Sequence, residues 1–378
     1  MAIKDWFSNS KKTITKKFSG FNVRNFLLPP RMYTKDYLSA YSESGWLYAC
    51  TNKIAQSVSE AKISATKTLR NGNTKVINDS KVLDLLKKPN PFQSQYEFME
   101  LTDMLLSLTG KAFWYIAKDN HNTPVELWIM SSQYVSIVPD EEEFIKGYVY
   151  NATGEQIPLD PDEVIFFNIP DPYDMYNGIG PAQAAGFAIE TDKYTNKWNR
   201  NFFFNNATPD TVVFADGTMD DDTYERVKAS WNEAFGGVEN ARKTAILEQV
   251  KDVKMLTTSA RDMDFVNLKN ATRDEILAIF GVPKVLLGMT ENVNRATAET
   301  SKEIFDENVV QPRLQRIADK VNNELVPLFG EQIEIKLTTK KTLNPEFVVN
   351  TINEGFKNGY IDSEQAKEQI GNLLGIEL

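Results

Sequence analysis

The sequence predicts an α+β fold, and three observations support this prediction. Segments with an apolar stripe at helical spacing come first, between residues 45 and 108. Aromatic and β-branched segments separated by turn residues follow, between residues 112 and 168. Two long striped helices then bracket an insert that spans residues 209–260. Helices followed by a run of antiparallel strands favour an α+β fold over an alternating α/β fold.

The first part of the chain is predicted element by element. Residues 1–40 are expected to be irregular, and a helix is expected at 45–59, where Cys50, Ile54 and Val58 share one face. Asn71-Gly72 favours a hairpin turn after a strand at 62–69. Further helices are expected at 81–88 and at 95–108 before Gly110, and strands at 112–118, 125–130, 134–138, 147–150 and 164–168.

The second part begins with a helix at 182–205, whose stripe predicts packing against the rest of the chain or against a neighbouring copy. The stripe consists of Phe187, Thr191, Tyr194, Trp198 and Phe202. A second helix at 262–280 is stopped by Gly281 and Pro283, and a polar loop at 289–295 follows. A long helix at 296–326 carries Pro312, which is expected to bend it at a cost of about 3 kcal/mol. A strand at 332–338 and helices at 344–358 and 363–370 complete the chain.

Composition removes several classes of function. The 378 residues contain one cysteine, Cys50, and one histidine, His121, which excludes an internal disulfide and most metal and acid–base sites. The sequence has no phosphate-binding loop, no third glycine after Gly178-Ile-Gly180 and no nucleophile elbow. We therefore expect no enzyme activity, no cofactor and no metal. No apolar run approaches the roughly 20 residues of a membrane span, and no signal peptide is evident, so we expect synthesis in a reducing cytoplasm and no membrane partner.

Charge is distributed unevenly. The net charge is −10, yet residues 1–24 contain six basic groups and one acid, which leaves 36 of the 42 basic and 51 of the 52 acidic residues to the remainder. The basic arm is interpreted either as a contact for nucleic acid or an acidic partner, or as a solvated terminus. The acidic remainder argues against tight binding of DNA phosphates, but it is compatible with letting DNA pass.

Several segments in order resemble the portal proteins of tailed double-stranded-DNA bacteriophages, of the compact long-tailed-phage type. The resemblance covers about residues 45–375 and is most specific in three segments. These are Gly178-Ile-Gly-Pro181 with the following helix, Phe203-Phe-Asn-Asn-Ala207-Thr-Pro209, and Ile279-Phe-Gly-Val-Pro283-Lys-Val-Leu-Leu-Gly288. The chain departs from the family at Asn168, where histidine is frequent, and at Gly180, where serine is frequent.

The resemblance implies a division of the chain into named parts. The implied parts are a basic arm (1–40), a wing (41–183), two stem helices (184–206 and 262–281), a clip (207–261), a tunnel loop (282–296), a kinked helix with a returning wing strand (297–340) and a small crown (341–378).

The resemblance also implies a function and partners. It predicts a dodecameric ring at one capsid vertex of the virion, through which double-stranded DNA is packaged and ejected. The expected partners are the large terminase, the head-completion or connector protein, and the major capsid and scaffold proteins.

Candidate residues follow from this assignment. Asn292, Asn294 and Arg295 are predicted to face the channel, although they could instead lie between subunits. Tyr194, Trp198 and Phe202 are predicted to pack the stem, and Pro312 to bend the long helix. The alternatives are another structural part of the virion, an enzyme of the packaging machine, and a carbohydrate-active hydrolase.

Overall fold

The architecture is described from a computed structural model, for residues 34–69, 73–152, 154–204, 211–215, 220–235, 250–255, 262–290, 294–339 and 345–374. The Asn71-Gly72 turn, the basic groups of residues 1–24 and Asn292 lie outside these ranges. Within them, the chain is a mixture of helices and antiparallel sheets, as the sequence predicts.

The N-terminal part is built on two packed helices beside a small sheet. Its elements are α1 (Thr34–Glu43), α2 (Gly45–Ser59), β1 (Lys62–Thr68), β2 (Thr74–Ile77), α3 (Lys81–Lys87) and α4 (Gln95–Thr109). Helix α1 is a correction, because residues 34–40 were predicted to be irregular. Ser94 and Glu97 form a reciprocal capping box at the start of α4, and Gly110 ends the helix at φ +72°.

The central part contains two three-stranded antiparallel sheets, ordered β4-β3-β8 and β5-β6-β7. The strands are β3 (Lys111–Lys118), β4 (Pro124–Met130), β5 (Val135–Asp140), β6 (Phe144–Tyr150), β7 (Ile157–Leu159) and β8 (Val164–Asn168). Successive side chains of β3 point to opposite faces of the sheet, so the strand packs differently on its two faces. Phe113 packs with Phe166 against the second sheet, whereas Trp114 packs on Phe98 of α4 and donates its indole N–H to Thr102 Oγ1 at 2.9 Å. The core therefore lies on both sides of β3.

The C-terminal half contains the long helices. The described elements are α5 (Pro181–Ala184), α6 (Gly186–Phe204), β9 (Thr211–Ala215), α7 (Asp221–Phe235), β10 (Val250–Met255), α8 (Asp262–Phe280), α9 (Arg295–Phe305), α10 (Gln311–Lys320), β11 (Glu334–Thr338), α11 (Pro345–Lys357) and α12 (Ser363–Leu374). Helices α6 and α8 pack on each other and β9 pairs with β10, which matches the predicted helix–insert–helix order. Strand β11 pairs with β1. A strand from the C-terminal half therefore joins the N-terminal sheet, which is ordered β11-β1-β2.

Three glycines let the turn before α5 pass against the end of α4. The backbone N–H of Ile169 donates to Gly110 O at 2.9 Å, and Ile179 N–H donates to Ile169 O at 3.0 Å. A Cβ on Gly178 would lie 2.0 Å from Gly110 O, and one on Gly180 would lie 2.7 Å from Ser107 O. The glycines of Gly178-Ile-Gly180 therefore allow two backbone segments to cross closely. This packing role differs from that of glycines in a dinucleotide-binding loop.

We expect Gly178→Ala to lower the free energy of unfolding by at least about 1–3 kcal/mol, because the added methyl group overlaps backbone that cannot move aside. Gly45→Ala is the matched control, since that glycine lies at a helix start with open space around its Cβ position. Urea denaturation of both variants measures the difference. Equal midpoints for the two variants would argue against the crossing.

Candidate channel loop and stem surface

The segment that leads into the predicted tunnel loop is anchored by a helix-terminating motif. Gly281, at φ +69°, donates its N–H to Ala278 O at 3.1 Å, and Val282 donates to Leu277 O at 3.0 Å. These two bonds satisfy the last carbonyls of α8, and Val282 and Leu277 are both buried, as this motif requires. The predicted stop at Gly281 and Pro283 is thus confirmed.

A short 3₁₀ turn, Lys284–Leu287, follows Pro283 and was not predicted. Lys284 Nζ lies 2.8 Å from Asp274 Oδ2, and Arg273 Nε lies 2.8 Å from Asp274 Oδ1. Hydrogen bonds from Arg273 and then from Lys284 lower the pKa of Asp274 below its ordinary value. The guanidinium of Arg273 also lies over the ring of Trp46, 5.8 Å from its centroid. The loop therefore starts from a base fixed to both α8 and α2.

The loop ends at the N-terminus of α9, which begins at Arg295. Asn294 is its N-cap: Oδ1 accepts from the backbone N–H of Thr297 at 2.8 Å and from its hydroxyl at 2.9 Å. Arg295 Nε lies 2.8 Å from Glu299 Oε1, one turn along the helix. Asn294 and Arg295, the two predicted channel residues that the structure describes, are therefore exposed but already engaged within the chain, and their orientation toward a channel stays a prediction.

Charges from the loop base through the following helix are mixed. Between Lys284 and Glu307 the sequence has three basic and five acidic residues. The three basic side chains offer few sites for the neutralisation of phosphate groups.

Pro312 follows a change in the hydrogen-bonding pattern of the long helix. A π-helical turn spans Asp306–Val310, and α10 starts directly after it, so Pro312 occupies its first turn. A proline is tolerated there because its missing N–H is needed least in a first turn. The predicted cost of an interior proline is therefore reduced, while the predicted bend stays untested.

Part of the aromatic stripe of α6 is exposed. Among residues 186–200 of this helix, the buried side chains are those of Ala188, Ile189, Asp192 and Thr195. Asp192 Oδ2 accepts from Ser44 Oγ at 3.0 Å, which ties α6 to the start of α2. Phe187 is 79% exposed, Tyr194 63% and Trp198 39%, and the side chain of Phe202 lies outside the described part of the structure. Packing of the stem by these aromatic residues, within the chain or between copies, stays a prediction.

The one cysteine and the one histidine of the chain lie in different environments. Cys50 is buried, and burial raises the pKa of its thiol to about 12. His121 lies in an exposed turn, where its backbone N–H donates to Asp119 Oδ1. Across the described ranges, no three histidine, cysteine or acidic side chains come together as a metal site. None of the described helices combines the length and apolarity needed to cross a bilayer.

A family model described as phage portal protein matches residues 46–371, from the start of α2 into α12. The chain belongs to the phage portal protein family. A probable portal protein of Streptomyces phage phiC31 is 24% identical over 86% of this chain and 74% of its own length. Family membership confirms the resemblance and gives the chain the structural, non-enzymatic role of a portal protein.

Solved structures share the fold. A chain in the neck of a native gene transfer agent particle, computed with C12 symmetry, superposes with a TM-score of 0.61 at 24% identity, over 89% of this chain and 93% of its own. An HK97-family phage portal protein from Corynebacterium diphtheriae superposes with a TM-score of 0.57 at 14% identity, over 86% and 99% of the two chains. The α+β prediction is thereby confirmed at the level of the whole fold, while the boundaries of wing, stem, clip and crown stay predictions.

One buried polar cluster was missed by the sequence analysis. Arg313 Nη1 of α10 donates to Asp103 Oδ1 at 2.9 Å and lies 2.7 Å from Ser107 Oγ, and both partners are on α4. Asp103 is fully buried. In the sequence, Asp103 interrupts the apolar stripe of α4, and this helix contains no basic residue that could pair with it.

Proposed function

We propose that copies of this protein close into a ring, twelvefold in the virion, that forms the DNA channel at one capsid vertex. The match of the family model to residues 46–371 carries the proposal, and the fold shared with a chain in a C12-symmetric neck supports it. In this proposal the tunnel loop (282–296) and the stem helices surround double-stranded DNA during packaging and ejection.

The electrostatics of the chain suit such a channel. Each phosphate that a protein neutralises adds affinity through counterion release, so a strongly basic lining would stall the duplex. The chain has a net charge of −10, and the segment from Lys284 to Glu307 is mixed in sign. DNA would therefore be kept near the axis and contacted weakly and without regard to sequence.

The remaining surfaces are assigned to partners. The clip (207–261) is proposed to dock the large terminase and later the head-completion or connector protein. The outer wing is proposed to contact the major capsid protein, with the scaffold protein assisting assembly. Electron microscopy of negatively stained, purified protein tests the ring directly, since a population of monomers at every concentration would contradict it.

The exposed aromatic residues Phe187, Tyr194 and Trp198 of α6 are proposed to pack between neighbouring protomers. Trp198→Asp is expected to reduce the ring population by about tenfold or more, because an unpaired carboxylate in an apolar contact costs more than the 1.4 kcal/mol that tenfold represents. Native mass spectrometry at fixed protein concentration measures the ring population.

Trp198→Phe is the matched control, because it keeps an aromatic surface and should retain rings. A folded Trp198→Asp protein, judged by its circular dichroism spectrum, that assembles as well as this control would refute the packing role.

A further inference from the structure

A cleft of about 580 Å³ opens beside the long helix, between α5, the end of α8 and α10. We call it the arginine cleft. Its walls are mostly apolar and include Leu106, Ile169, Ile179, Ala278, Val309 and Pro312. Two arginines, Arg313 and Arg316, also line it. The cleft therefore combines apolar walls with positive charge.

The two arginines differ in how their charge is balanced. Arg313 is paired with the buried carboxylate of Asp103. Arg316 Nη1 donates to the backbone carbonyl of Asn168 at 2.9 Å, and no acidic side chain in the described ranges forms an ion pair with it. Its pKa is lowered by burial and then by the neighbouring charge of Arg313. The cleft thus presents one positive charge without a negative partner, which a carboxylate would stabilise.

The same helix exposes a surface of the opposite character. Glu303 and Glu307 lie one turn apart and are exposed, and Ile304 beside them is 52% exposed. Neither glutamate forms an ion pair within the part of the chain that the structure describes. Glu303 and Glu307 precede Arg316 by 13 and 9 positions, roughly 20 Å and 14 Å along a helix axis, and neither forms an ion pair with Arg316 of its own chain. Glu307 adjoins Asn308 at the edge of the cleft. We call Glu303, Ile304 and Glu307 the acidic ridge.

We propose that the arginine cleft of each protomer receives the acidic ridge of a second copy, with a ridge carboxylate paired to Arg316 and Ile304 against the apolar wall. This inference rests on the proposed ring. A cyclic ring needs two different and complementary patches on each protomer, because the contact repeats head to tail. The ridge and the cleft supply opposite charges and apolar surface on both sides. A DNA phosphate is a poorer occupant, since it would leave the apolar walls unfilled.

Cysteine cross-linking tests the contact without disturbing its charges. Ala184 lines the cleft and is exposed, and Ile304 is on the ridge, so Ala184→Cys and Ile304→Cys can be prepared separately and co-assembled. Buried Cys50 does not compete for oxidation. We expect oxidation to yield a covalent dimer that contains one copy of each variant. Ala184→Cys mixed with Val76→Cys, at an exposed position of β2, is the matched control and should yield none.

A charge reversal provides a second measurement. Arg316→Glu is expected to lower the ring population about tenfold, and adding Glu303→Arg and Glu307→Arg to the same chain is expected to restore it. Restoration would not follow from a merely structural role of Arg316, and if the reversed chain fails to fold, the cross-link decides.

Three results would overturn the inference. These are absence of the mixed dimer, equal cross-linking in the control, and unchanged rings in Arg316→Glu. Normal rings that fail to retain DNA in Arg316→Glu would assign the cleft to DNA instead. If the unaltered protein forms no rings, the proposed function itself fails, which is a separate outcome.

Discussion

Replacing Arg313 with methionine is expected to lower the free energy of unfolding by about 3–5 kcal/mol, because Asp103 would remain buried as an unpaired charge. The side chain of Asp103 has no exposed surface, and Arg313 Nη1 approaches its Oδ1 to 2.9 Å. Its other described contact, from Ser107 Oγ to Oδ2, is long at 3.4 Å. Removal of the guanidinium also breaks the side-chain hydrogen bonds that link α10 to α4. Urea denaturation followed by tryptophan fluorescence measures the change.

Two controls separate this effect from a general loss of charge. Arg295→Met breaks the exposed pair with Glu299 and should cost only about 0.5 kcal/mol or less. Arg313→Met combined with Asp103→Leu removes both charges and should recover much of the lost stability, since apolar replacement of a buried pair is often neutral. If the double variant is less stable than Arg313→Met alone, the penalty does not come from the orphaned carboxylate.

Deleting residues 290–293 is expected to leave rings of normal size but to reduce DNA-filled particles by about tenfold or more, a change equivalent to only 1.4 kcal/mol of lost interaction. The loop base is held by Asp274, Lys284 and Gly281, all outside the deletion, so the protomer should still fold. Asn294 is retained because it caps α9, and its loss alone would cost about 1 kcal/mol. Counting filled and empty particles by electron microscopy measures the effect.

A replacement of residues 290–293 by a segment of the same length separates the effect of loop length from the effect of the loop's side chains. Gly-Ser-Gly-Ser in place of residues 290–293 keeps the span of the loop but removes Glu291 and Asn292. If DNA is excluded or retained by the reach of the loop, this variant should package normally. Full packaging by the deletion itself would count against a gating loop.

Helix boundaries were well predicted where the chain carries its own local signals. The predicted helix at 45–59 is Gly45–Ser59 in the structure, and the predicted start at residue 95 is correct because Ser94 and Glu97 form a capping box. Helix α1 is not evident from the sequence because Thr34–Glu43 is largely polar, and in the structure the helix contacts α2 and α4. Its stability is therefore not encoded in its own sequence.

The candidate site was predictable at its ends but not in its contacts. Gly281, Pro283 and Asn294 mark the loop limits through their backbone preferences, which are local. An apolar stripe, in contrast, does not reveal which surface will cover it. In α6, Phe187, Tyr194 and Trp198 are exposed, while Asp192 and Thr195 are buried. The pair between Asp103 and Arg313 spans 210 positions, so no local pattern could reveal it.

The pairing of β1 with β11 has a consequence for protein synthesis. Lys62 faces Thr338, and Ser80 Oγ lies 2.6 Å from Glu331 Oε2, so residues synthesised early are paired only after a partner about 251 positions later has been made. A product released before residue 331 would keep an unpaired strand edge and an incomplete start to α3. Such a fragment lacks the complete fold of a full-length subunit. Prematurely terminated chains would therefore not be incorporated into an assembly that a single defective subunit would inactivate.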